Sequence, residues 1–356
     1  MLQLLSRLVL GTGIALAVWE ASARIEDWWK EDAPLLGRHD YSVLLTEDEV
    51  GVHGRPHAHY AKWRLNSLGY RGPELQPASE RLLAIGASET FGLFERAGHE
   101  YPRLLENALH QLPDLGQIQV VNVALAGQGL PAATSRIPIF SAQIRPRWAF
   151  IYPSLASYIS PPPPFVHRAA AQPRSPWHLR VADRIDTLLK RSLPAELQLT
   201  LKKLLIWKAV RGQTVLATIP DSRLALFEQD LSELVQALRA HGIAPILITH
   251  ATRFGPVLQT EDQAMLVSWR KFYPELAEQG FLDMEFRLNQ RMREVARRLQ
   301  TPWIDAAAEM PPGPKMFADF SHFTDEGSQQ MASLLARKLQ PLLQTGPAPA
   351  ATATVR

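Results

Sequence analysis

Arg81-Leu-Leu-Ala-Ile-Gly86-Ala87-Ser88-Glu89-Thr90-Phe91-Gly92 decides how this chain is read. Its first half is a short apolar run of the length of a buried strand, and its second half turns small and polar. A serine just past a strand, at the mouth of a helix, is exposed and ringed by backbone N–H donors that can stabilise an oxyanion. Read outward from there, short apolar runs alternate with amphipathic stretches. Ile118 to Ala124, Trp148 to Tyr152, Pro245 to Thr249 and Pro302 to Asp305 read as further strands. Tyr101 to Leu112, Leu224 to His241, Asp283 to Leu299 and about Asp325 to Leu343 read as helices, Gly242 ending the second and Thr324 placed to cap the last. Strands alternating with helices predict a three-layer α/β/α domain with a parallel sheet of about five strands over 81–343. Its site is expected at the strands' carboxyl ends.

Two more segments fall at such ends. Asn122-Val-Ala-Leu-Ala-Gly127-Gln-Gly129 follows the second strand, and its glycine lets the backbone approach a substrate and offer an N–H. Asp319-Phe-Ser-His322 precedes the last helix, where a carboxylate three residues before an imidazole can orient it. Each alone has an ordinary reading as helix cap, turn or solvated loop. The order Ser, Gly, Asp, His at successive strand ends carries the argument.

These residues resemble the blocks of the SGNH/GDSL hydrolases. Gly86-Ala87-Ser88-Glu89-Thr90 looks like the nucleophile block, Asn122 through Gly127 the second, and Asp319-x-x-His322 the last. Upstream, Asn66-Ser-Leu-Gly69-Tyr-Arg71-Gly72 is similar to a segment that bacterial cell-envelope members often carry before the nucleophile. The resemblance spans roughly residues 60–340 and implies a flavodoxin-like fold. It also implies a Ser88, Asp319, His322 triad and an oxyanion hole from the backbone N–H groups of Ser88 and Gly127. Two positions depart from the pattern. Ala87 stands for the usual aspartate, and in Tyr152-Pro-Ser-Leu-Ala-Ser-Tyr158 spacing puts Ala156 at the third oxyanion position, with Ser154 and Ser157 nearby. Loss of one such donor costs about 10²–10³ in turnover.

The function expected is therefore an extracytoplasmic serine esterase or O-acyltransferase acting on acylated carbohydrate, without metal or other cofactor. The alternative is a catalytically degenerate member that binds polysaccharide or an envelope assembly partner. A membrane-anchored lipase is a third reading, disfavoured by the basic insertion.

The remaining chain frames this. Residues 1–24 read as a signal peptide or membrane anchor, with Arg7 before an uncharged stretch from Leu8 to Trp19 and Ala21-Ser22-Ala23 as a small-x-small site. Residues 33–80 read as an irregular preceding segment. Residues 153–220 read as an insertion opening on Pro161 to Pro164 and continuing as a basic, Leu-rich helical stretch. Residues 344–356 read as a disordered tail. His53, His57 and His59 have a metal-like spacing but no carboxylate partner on a regular element, and Asp305 reads as a polar strand terminus. The chain has 356 residues and no cysteine, which excludes disulfides, Cys-ligated metals and thiol nucleophiles. A net charge of +3 gives no argument for nucleic acid as a partner.

Overall fold

The computed structural model describes residues 2–37, 39–77, 79–115, 117–159, 178–212 and 214–345. The Pro161 to Pro164 opening of the insertion and the tail beyond residue 345 lie outside the described residues.

Five parallel strands form the central sheet: β1 (Glu80–Gly86), β2 (Ile118–Asn122), β3 (Trp148–Tyr152), β4 (Ala244–Ile248) and β5 (Trp303–Ile304). Their spatial order is β2-β1-β3-β4-β5. Chain order reverses direction between β1 and β3, so a crevice opens at their carboxyl ends, as in other doubly wound sheets. The runs are mainly apolar because both faces are covered. Leu83, Ile85, Val121, Ala149, Ile151 and Leu247 point into one core; Leu82, Ala84, Val120, Phe150, Ile246 and Ile248 point into the other.

The helices are α1 (Leu2–Glu31), α2 (Ser88–Phe91), α3 (Tyr101–Leu109), α4 (Leu130–Ser135), α5 (Ile137–Ile144), α6 (Arg180–Ser192), α7 (Ala195–Val210), α8 (Asp221–Ala240), α9 (Thr260–Trp269), α10 (Glu278–Arg298), α11 (Ala306–Glu309) and α12 (Asp325–Thr345). The first core takes side chains from α4, α5, α8 and α10, the second from α3 and α12. Thr324 caps α12 as expected, its hydroxyl accepting from Gly327 N–H at 3.0 Å. The fifth strand is shorter than the sequence suggests, because only Trp303 and Ile304 ladder with β4. Helix α9 was not legible in its sequence.

Part of residues 33–80 is regular. A 3₁₀ turn, Tyr41–Leu44, capped by Asp40, leads into two antiparallel ribbons, Leu45–Asp48 with Gly51–Gly54 and His59–Tyr60 with Trp63–Arg64. They fold over a third small core of Leu44, Ala58, Leu65, Phe91 and Ala124. Gly54 and Gly69 approach so closely that a Cβ on either would lie 2.0 Å from the other's carbonyl oxygen, which requires glycine at both.

The N-terminal helix runs on to Glu31, and the span from Ser6 is long and apolar enough to cross a membrane. Leu8, Val9, Leu10 and Ile14 are exposed, so it is not the buried helix of a soluble core. Its polar end is built into the fold. Arg180 of α6, 1% exposed, donates to the carbonyls of Arg24 and Pro34 and pairs with Asp27 at 3.4 Å. Arg184 reaches Glu26 and Asp27. The helical stretch of the insertion is two helices, broken at Leu193-Pro194, since proline cannot continue α6.

Candidate active site

Ser88 opens α2 directly beyond β1. The turn is tight: a Cβ at Gly86 would lie 2.0 Å from Thr90 Oγ1 and 2.8 Å from the Tyr152 carbonyl. Thr90 is fixed in turn, its hydroxyl 2.8 Å from Tyr101 OH and its carbonyl accepting from Asn122 Nδ2 at 2.8 Å. The end of α2 is clamped from upstream. Arg71, buried, donates to the carbonyls of Phe91 and Gly92 and pairs with Glu100 at 3.0 Å. Asn66 shapes the loop that delivers Arg71, accepting from the N–H groups of Leu68 and Tyr70 and donating to Pro73. The Asn66 to Gly72 segment is thus a bracket for the Ser88 loop.

His322 and Asp319 sit at the tip of a short hairpin. Phe317 and Phe323 pair across its base and bury completely, and so aim the intervening residues at the sheet's carboxyl edge. Asp319 Oδ2 is 2.8 Å from His322 Nδ1, while its Oδ1 accepts from the N–H groups of Ser321 and His322. The carboxylate therefore fixes the loop and the imidazole together. His322 Nε2 is buried and has no hydrogen-bond partner among the described residues. Burial works against the protonated ring, yet the Asp319 hydrogen bond and the charges of Glu89, Asp319 and Glu95 prevail, and its pKa is raised.

Ser88 Oγ does not bond to His322 here. It donates to Glu89 Oε2 at 3.1 Å. Glu89 Oε1 accepts from Ser321 Oγ at 3.0 Å and from Ser154 Oγ at 3.3 Å, so this carboxylate links the serine, the His322 loop and the loop after β3. Burial pushes its carboxyl upward, but contact with His250 and the charges of His322 and His250 hold it well below the ordinary carboxylate range.

The second block lies alongside α2 through Asn122. Its Gly127 occupies an exposed turn at φ +74°, a conformation that favours glycine. Ala156, in the 3₁₀ turn Leu155–Tyr158, packs against the larger core and supplies no side-chain donor. Of the neighbouring hydroxyls, Ser154 faces the site through Glu89, and Ser157 is exposed. Phe94, half exposed, lies over the His322 ring at 4.8 Å and walls one side.

Candidates set aside on sequence fall elsewhere. His53 pairs with Asp48 and His59 with Asp32, on separate elements. Asp305 is held by Arg293 and Thr249 beside β5. Sequence reading missed His250, Glu285 and Asn289, which lie behind Glu89. One signal was present: Glu285 and Asn289 stand four residues apart within the inward stripe Phe281, Met284, Leu288, Met292 of α10, where polar side chains need buried partners.

No protein-family model matches the chain, and no curated protein matches it by sequence. Solved structures do. A lipase/acylhydrolase from Enterococcus faecalis is 15% identical with a TM-score of 0.43, over 74% of this chain and 97% of its own. A GDSL-like lipase from Bacteroides thetaiotaomicron VPI-5482 is 12% identical with a TM-score of 0.42, over 76% and 93%. A catalytic mutant of an acetylxylan esterase from Geobacillus stearothermophilus is 14% identical with a TM-score of 0.43, over 74% and 96%. The fold is a three-layer α/β/α domain on a doubly wound parallel sheet. The parallel β2-β1-β3-β4-β5 sheet carries the Ser88 block after β1, the Gly127 block after β2 and the Asp319–His322 hairpin before the last helix.

Proposed function

We propose that this chain is a membrane-anchored, extracytoplasmic serine esterase or O-acyltransferase of the SGNH/GDSL type, acting on acylated carbohydrate. The observation that carries it is His322: one ring nitrogen fixed on Asp319, the other buried beside the serine loop and without a hydrogen-bond partner among the described residues. A base so placed is ready to take a proton.

In this reading Ser88 Oγ rotates from Glu89 to His322 and attacks the acyl carbonyl as its proton passes to Nε2. The N–H groups of Ser88 and Gly127 receive the oxyanion. The ester C–O bond then breaks, and His322 returns the proton to the departing alcohol. A water or a sugar hydroxyl, deprotonated by His322, attacks the acyl-enzyme and restores Ser88. Phe94 offers an apolar wall for an acyl chain or a sugar face. The carbohydrate substrate class rests on the likeness of the Asn66 to Gly72 segment to one that cell-envelope members often carry. Anchoring rests on the exposed apolar span of α1, with α6 packed beside its polar end and α7 following α6 in the chain. Those helices expose Leu188, Leu189, Leu204, Leu205 and Trp207. A mixed basic and apolar face of that kind suits the surface of an anionic bilayer.

A fluorophosphonate probe tests the assignment. Wild type is expected to label at Ser88, and Ser88→Ala to lose both labelling and hydrolysis of a small acyl ester. The second reading, a binding module without catalysis, draws on Ala156, which leaves the third oxyanion position without a side-chain donor; a wild type inert to the probe would favour it.

A further inference from the structure

Behind the serine lies a buried row of charge that the acyl-transfer steps do not use. Glu89, His250 and Glu285 are 2%, 2% and 5% exposed. His250 Nδ1 is 2.9 Å from Glu285 Oε2, and its Nε2 is 3.5 Å from Glu89 Oε1, an ion-pair separation rather than a tight hydrogen bond. The surroundings fix the imidazole. Asn289 accepts from the His250 N–H at 2.7 Å and donates to its carbonyl at 2.9 Å, and the Tyr152 ring stacks on it at 5.1 Å. Three elements contribute: α2, the segment after β4, and α10. Buried ion pairs rarely add stability over apolar packing, so a row kept beside a nucleophile points to chemistry.

We propose that Glu89 is a further catalytic residue, whose Oε2 holds the Ser88 hydroxyl in the resting site and whose negative charge, fixed by the positioning residues His250 and Glu285, favours the protonated His322 formed as Ser88 attacks. This rests on the serine-hydrolase reading. Glu89 is not the base: the contact with His250 and the nearby imidazole charges stabilise its carboxylate and leave it too weakly basic to take the serine proton, while His322 Nε2 is open to it. The Ser88 O–H bond breaks, the His322 Nε2–H bond forms, and Glu89 stays an anion throughout. It works beside Asp319: Asp319 orients the ring through Nδ1, and Glu89 adds charge from the serine side. Ser321 ties the two loops, donating to Glu89 one residue before His322.

The groups facing this centre are few. His322 faces Asp319 from its own hairpin, Glu89 from α2 and Glu95 from the loop after α2. Glu89 faces His250 and His322, the hydroxyls of Ser88, Ser154 and Ser321, and the phenols of Tyr101, Tyr152 and Tyr273.

Histidine NMR of the full chain in nanodiscs tests the proposal independently of turnover. Glu89→Gln is expected to lower the His322 titration midpoint by about one pH unit or more, the effect of losing a nearby opposite charge. Glu95→Gln, the weakest of the three influences, should lower it less. Wild-type His250 should remain an imidazolium from pH 6 to 8.5. With the fluorophosphonate probe, the acidic limb of the Ser88 labelling rate should move down in Glu89→Gln with the midpoint, and the plateau should fall about tenfold. An unchanged His322 midpoint in folded Glu89→Gln overturns the proposal. A neutral wild-type His250 at pH 7 overturns it too, even where Glu89→Gln does not fold. A wild type that fails to label while the His322 shift appears overturns the hydrolase reading and leaves the Glu89–His322 coupling standing.

Discussion

At the carboxyl edge of the sheet, Glu89, His250, Glu285, Asp319 and His322 are turned inward and face one another; along α6 and α7, Leu188, Leu189, Leu204 and Leu205 are turned outward. Polar side chains are buried or half-buried in one region and apolar ones exposed in the other, each against the usual preference of its type. The difference lies in what covers them. At the edge, backbone and side-chain partners from α2, the hairpin, the loop after β3 and α10 meet each charge at short range. The leucines of α6 and α7 pack on no core, and ion pairs with the end of α1 and a Lys202–Ser268 bond attach the helices instead. The proposed catalysis draws on the buried charge, and the proposed membrane contact on the exposed leucine.

The contrast can be broken by substitution. Arg71→Met should have the largest effect on folding, costing about 3–5 kcal/mol in urea denaturation, because Glu100 is left buried without its cation. Ser88 labelling should fall with it, since the bracket on α2 is lost. Leu234→Ala in the larger core should cost about 2–5 kcal/mol by the same measurement.

A smaller effect follows pH. His250 is pushed up to about 10: burial opposes its charge, and Glu285 and Glu89 overcome that. Its folded value lies above its ordinary 6.5, so its contribution is complete below pH 6.5 and is lost as pH rises toward 10. The denaturation midpoint should drop across that window, and His250→Gln should flatten the slope. A wild-type midpoint insensitive to pH there would show that the row behind Ser88 holds no imidazolium.

Leu204→Ala should change stability by no more than about 0.5 kcal/mol, as befits a half-exposed side chain that belongs to none of the apolar cores. Because the chain has no cysteine, Leu204→Cys gives a single site for an environment-sensitive dye. Its emission should shift to the blue in nanodiscs of anionic lipid, and emission typical of water there would remove α6 and α7 from the membrane surface.

Sequence alone settled the layered α/β architecture, because parallel strands buried on both faces must be continuous apolar runs and helices covering them must carry one apolar stripe. Ser88 and the Asp319–His322 pair were legible for a related reason: local turn chemistry requires Gly86, Thr90 and a short hairpin at fixed spacings. Absence of cysteine left serine as the candidate nucleophile. The Asn66 to Gly72 segment was visible as a motif, but its work as a bracket was not, since Arg71 acts on carbonyls twenty residues away. Only the tertiary structure decided that Ser88 rests on Glu89, that Ala156 turns to the core, and that His250 and Glu285 stand behind the serine. Ser88 and Glu89 are chain neighbours, but Glu89 is set by partners far along the chain: Ser321 lies 232 positions from it, and the His250–Glu285 contact behind it spans 35. No local periodicity encodes them; they exist only once the sheet brings its strand ends to one edge.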